Sequence, residues 1–178
     1  MALNITYGVS TWLWTSPFTT DSIGELFPKI AKMGFDVTGT DLSENAIQKA
    51  RNLDDKINFM VDDILNSRLE KNRFDYILDR GCFHVLPNDK WSQYGKKIHH
   101  ILDENGLFFL KCFSTKETKL DYGPYRFSEN EIRNIFGQDF VIESVIDTVY
   151  QGTLDPFPKA LFTVMSKKKQ LSKNLTVL

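Results

Sequence analysis

Phe35-Asp36-Val37-Thr38-Gly39-Thr40-Asp41-Leu42-Ser43 is the stretch on which the fold turns. Phe35 to Thr40 has strand composition and runs into an acid. Ser43 then offers a hydroxyl that can cap a helix from about Glu44 to Asn52. The same alternation continues downstream. Ile57 to Val61 and Phe74 to Leu78 read as strands, each followed by acids. A helix from about Asp89 to Leu102 places Trp91, Tyr94, Ile98 and Ile101 on one face. Gly106 opens a strand from Leu107 to Phe113. Ser128 and Glu131 have capping-box spacing before a short helix through Ile135. Val141 to Tyr150 and Ala160 to Ser166 form a strand pair, joined by a long turn from Gln151 to Lys159 that holds Gly152, Pro156 and Pro158. Upstream, Ile5 to Trp14 reads as a strand. Thr19 or Thr20 can cap a helix with Ile23, Leu26, Phe27, Ile30 and Met33 in helical spacing, closed by Gly34. Pro28 counts against that helix.

Strands alternating with helices predict an α/β fold. The expected form is a Rossmann-like three-layer sandwich whose sheet is mostly parallel with an antiparallel C-terminal strand. The 178 residues suffice for one domain over 1–168, with 169–178 as a flexible tail. Lys167, Lys168, Lys169 and Lys173 are assigned to that solvated end. A net charge of −1 argues against a nucleic-acid surface. Cys82 and Cys112 do not make a disulfide framework, no leader is evident at Met1-Ala2-Leu3-Asn4, and no run is long enough to cross a bilayer. A cytoplasmic monomer is expected.

Ligands of open α/β sheets sit outside the carboxyl ends of the strands. Asp41 falls there, where a carboxylate can accept ribose hydroxyls or share the capping of the next helix. One carboxylate of Asp62-Asp63 could take a hydrogen bond from an adenine amino group, or the pair could initiate a turn. Asp79, Arg80, Cys82 and His84 follow the next strand. His84 is either a general base or a solvent-facing loop residue, and Cys82 reads as a buried thiol. No spacing suits a metal, no phosphate-binding glycine loop is present, and no residue is given a catalytic role.

From about Gly34 to Lys168 the chain resembles class I S-adenosylmethionine-dependent methyltransferases of the thiopurine-methyltransferase-like, small-molecule type. The resemblance is carried by residues 35–43, Val61-Asp62-Asp63-Ile64, Phe74-Asp75-Tyr76-Ile77-Leu78-Asp79-Arg80-Gly81-Cys82-Phe83-His84 and Asn105 to Lys111, with Gly123 to Phe127 and Gly152 to Pro156 behind them. It implies S-adenosylmethionine as cofactor, with Asp41 and Leu42 at the ribose, Asp63 and Ile64 at the adenine and Asp79 beside the methionine end. The first 35 residues differ. Tyr7-Gly8-Val9-Ser10-Thr11-Trp12-Leu13-Trp14-Thr15-Ser16-Pro17-Phe18-Thr19 and Glu25 to Asp36 resemble the first strand and helix of a sugar epimerase/isomerase TIM barrel. Where a methyltransferase carries a glycine-rich turn, two tryptophans and a proline stand.

The two resemblances together imply an engineered chimera, residues 1–35 barrel-derived and 36–168 methyltransferase-derived. Its expected state is an inert scaffold in which cofactor binding at Asp41, Leu42, Asp63, Ile64 and Asp79 is vestigial, weak or lost. The alternative is a working small-molecule methyltransferase with a diverged first motif. A third reading binds a small molecule or anion at the Thr15-to-Thr20 loop.

Overall fold

The computed structural model describes residues 4–8 (as backbone), 30–53, 57–118, 123–151 and 154–168. Its strands are β1 (Asn4–Gly8), β2 (Asp36–Asp41), β3 (Asn58–Val61), β4 (Phe74–Asp79), β5 (Leu102–Ser114), β6 (Arg126–Phe127), β7 (Phe140–Val149) and β8 (Lys159–Lys167). The α-helices are α1 (Glu44–Leu53), α2 (Trp91–Ile101) and α3 (Glu129–Phe136), with short 3-10 turns at Ile64–Asn66, Phe83–Val85 and Asn88–Lys90.

All eight strands form one sheet in the order β3-β2-β1-β4-β5-β8-β7, with β6 beside β5. Every pair from β3 across to β5 is parallel, and β8 runs antiparallel to both β5 and β7. This is the Rossmann-like arrangement the sequence predicts. Strand order reverses between β1 and β4, and that switch point is where such a sheet opens a crevice.

Alternation along β4 sends neighbouring residues to opposite faces. Ile77 joins a core with Ile98 and Ile101 of α2 and Ile132 and Phe136 of α3. Leu78 packs instead against the core of Val37, Ile47 and Phe59, which Ile30 and Ala31 also join. Ser128 and Glu131 make the full capping box, and Ser43 Oγ accepts the Ala46 N–H at the start of α1.

Several boundaries differ from expectation. The first strand is described only to Gly8, and residues 9–29, including Trp12, Trp14, the Thr15-to-Thr20 loop and Pro28, lie outside the described residues, as do 169–178. Residues 30–32 are helical and Gly34 takes φ +92°, as a helix-terminating glycine should. Asp89 and Lys90 belong to a 3-10 turn, so α2 starts at Trp91.

β5 begins at Leu102 rather than Leu107, but its register on β4 jumps from Phe74↔Leu102 to Tyr76↔Leu107. The residues between form a bulge that Gly106 closes. A Cβ there would lie 2.9 Å from the Asp75 carbonyl oxygen and 2.7 Å from Leu102 Cδ1.

Lys167, assigned to a solvated tail, ends β8 with a side chain only 2% exposed. Its ammonium donates to Asn72 Oδ1, the Leu102 carbonyl and Glu104 Oε1 at 2.7, 2.9 and 2.9 Å. Burial of a lysine is tolerable only with such a complete set of acceptors.

Candidate functional site

A cavity of about 410 Å³ opens at the carboxyl ends of β2, β3 and β4. Asp41, Leu42, Asp62, Asp63, Ile64 and Asp79 all line it, so the fold brings together every residue picked from sequence as cofactor-binding. Its floor is apolar, built from Ile77, Ile98 and Ile101. Size and lining match a small-molecule site.

The carboxylates differ in what they have left to offer. Asp41 Oδ1 accepts the Ser43 N–H at 2.7 Å, which fixes the side chain at the mouth of α1. Asp63 caps the following 3-10 turn, accepting Leu65 N–H at 3.0 Å on Oδ1 and Asn66 Nδ2 at 2.7 Å on Oδ2. Asp62 spends Oδ1 on the Arg68 N–H at 3.1 Å, while its Oδ2 is buried without a hydrogen-bond partner among the described residues. A buried polar atom left unmatched normally costs about 1–3 kcal/mol. An acceptor of that kind on a cavity wall is suited to a donor arriving with a ligand.

Asp79 has the opposite character. It is buried, and Oδ1 accepts the Gly81 and Cys82 N–H groups at 2.7 and 2.8 Å. Oδ2 accepts Phe83 N–H at 2.9 Å and the Tyr94 hydroxyl. Burial raises its pKa even so, against these four hydrogen bonds. With its acceptor sites engaged, Asp79 braces the turn after β4 as a structural element of the wall.

Burial, reinforced by the charge of Asp79, pushes the Cys82 thiol well up, so it stays protonated on the cavity wall. His84 corrects both readings made of it. It is neither a solvent-facing loop residue nor a poised base. Its ring is buried 5.1 Å from that of Phe113 and 6.0 Å from that of Tyr150. Desolvation, helped by Arg80, lowers its pKa to about 3, which leaves it neutral. Among the described residues no cluster of His, Cys, Asp and Glu could hold a metal, and no helix is long and apolar enough to cross a membrane.

Sequence reasoning missed Tyr94 as the partner of Asp79, and missed that Arg80 and Lys111 share the ring of Tyr150. Tyr94 was legible only as one member of an apolar helical face. The second arrangement needed the β4–β5 register, in which Asp79 lies opposite Leu110.

Residues 22–106, a little under half of the chain, match the methyltransferase domain family. The match begins inside the segment that resembles a barrel helix, so nothing marks a join near residue 35. An uncharacterized methyltransferase of Schizosaccharomyces pombe is 35% identical over 89 residues, 48% of this chain and 61% of that protein. The chain thus spans about three-fifths of the length of the curated relatives it matches. Among solved structures, an S-adenosylmethionine-dependent methyltransferase of Methanosarcina mazei superposes with TM-score 0.75 at 14% identity, over 93% of this chain and 92% of that one. The Burkholderia thailandensis 1,6-didemethyltoxoflavin-N1-methyltransferase, solved with its substrate and S-adenosylhomocysteine, gives 0.67 at 19% identity, over 94% and 72%. At such identities the structures speak for the fold alone. The match across residues 22–106 makes the chain similar to the methyltransferase domain family over that stretch, and the solved structures share its Rossmann-like fold.

Proposed function

We propose that the protein is an S-adenosylmethionine-dependent methyltransferase acting on a small molecule. The single observation that carries this is the buried, unmatched Asp62 Oδ2 on the wall of a ligand-sized cavity at the switch point of the sheet. When bound, the cofactor supplies an electrophilic methyl group on a sulfonium. The chain's own residues bind, orient and exclude water. Asp41 accepts ribose hydroxyls, Asp62 and the Asp63–Ile64 backbone take the adenine edge, and the apolar floor keeps the site dry. Asp79 holds the turn after β4 rigid beside the reacting end. Among the described residues His84 is not a poised general base, and the reading favours an acceptor that is already a good nucleophile.

The inert-chimera reading rests on residues 9–29, outside the described part of the chain, and the family match begins within that same region. A methyltransferase with an unusual first motif is therefore the better-supported reading. Calorimetric titration with S-adenosylhomocysteine tests it. Micromolar binding is expected. Asp62→Asn, which turns the unmatched acceptor into a donor but keeps Oδ1 for Arg68, should weaken binding about tenfold, and Asp41→Ala at least as much. Absence of binding by a cooperatively folded sample would restore the inert scaffold.

A further inference from the structure

We infer that Arg80 and Lys111 form an anion-binding site that receives a carboxylate or phosphoryl group of the methyl acceptor. The register that sets Asp79 against Leu110 makes Arg80 and Lys111 neighbours, one residue beyond the paired end of β4. Both leave the sheet on the face opposite the Asp79–Tyr94 hydrogen bond. The Arg80 guanidinium carbon lies 5.3 Å and the Lys111 ammonium 5.2 Å from the centroid of one ring, that of Tyr150. Tyr150 is itself fixed, buried at 4% exposure, with its hydroxyl donating to the Lys111 carbonyl at 2.6 Å and its ring 4.7 Å from that of Phe113.

Two like charges held beside one ring repel, and Arg80 is further fixed by donating to the Gln151 carbonyl at 3.4 Å. Lys111 is half-buried, and its ammonium makes no hydrogen bond or ion pair with any described residue. The contrast with Lys167 and its three acceptors, and with Lys116 paired to Asp147 at 2.5 Å, is direct. Desolvation, then the charge of Arg80, lowers the pKa of Lys111. An oxyanion between the two cations relieves both costs, and the site flanks the strand ends where ligands of such sheets bind. The anion site stands on this geometry alone. Its use by an acceptor rests on the methyltransferase reading.

The test is a titration of the whole chain with inorganic phosphate and, separately, acetate, followed by amide NMR at constant ionic strength. Saturable shifts at the amides of Gly81, Lys111 and Cys112 are expected. Lys111→Met should weaken the apparent affinity about fivefold or more, Lys111→Arg should retain it, and S-adenosylhomocysteine should not compete. Shifts that fail to saturate, that survive Lys111→Met unchanged, or that the nucleoside displaces would overturn the proposal. Phosphate binding without any S-adenosylhomocysteine binding would uphold the anion site while sinking the methyltransferase reading. Nucleoside binding without phosphate binding would do the reverse.

Discussion

Packed against Phe113 and Tyr150, the His84 imidazole remains neutral down to about pH 3. In the unfolded chain it takes up a proton near its ordinary 6.5. The unfolded state therefore binds more protons across that window, and the contribution of His84 to stability is complete above pH 6.5 and lost as pH falls towards 3. The slope is about 1.4 kcal/mol per pH unit, so about 2 kcal/mol should disappear between pH 7 and pH 5. Urea unfolding at the two pH values measures this, and His84→Phe should flatten the difference. Nothing in the sequence around His84 announces burial, because the rings that enclose it come from 29 and 66 positions further on. Asp62 and Asp63 teach a similar lesson. Their place at a strand end was legible, but which oxygen stays unmatched depends on Arg68, Leu65 and Asn66 folding back over them.

Elements were legible where their signals are local. The Ser128–Glu131 box, the Ser43 cap and the closing strand pair all emerge from short-range pattern. The strand from Leu107 to Phe113 was legible too, but its earlier start was not: nothing local marks Asp103-Glu104-Asn105 as part of a strand. Long-range partners make it a bulge: Leu102 pairs with Phe74, and Glu104 meets Lys167. Gly106 is the tight point of that bulge, with backbone as well as side chain in the way of any Cβ. Gly106→Ala should therefore lower stability by about 1–3 kcal/mol in denaturant unfolding. A neutral result would mean that the bulge is soft.

Across the whole molecule, the sheet puts its earliest strand in the middle, with β2 on one side and β4 on the other. Alternation of strand and helix predicted the layers. A central strand is indispensable whatever its ancestry. Thr6→Pro, which removes a backbone donor from this position, should cost about 3 kcal/mol or more, or abolish cooperative unfolding. A minor loss would show β1 to be only loosely docked. The far end of the sheet carries a different consequence. Lys167 is sealed by three acceptors from two separate segments, so an acylating reagent that modifies exposed amines within minutes will leave this one unmarked. Mass-spectrometric labelling at Lys167 thus becomes a built-in clock for opening of the seam where β8 meets β5, readable without any assay of activity.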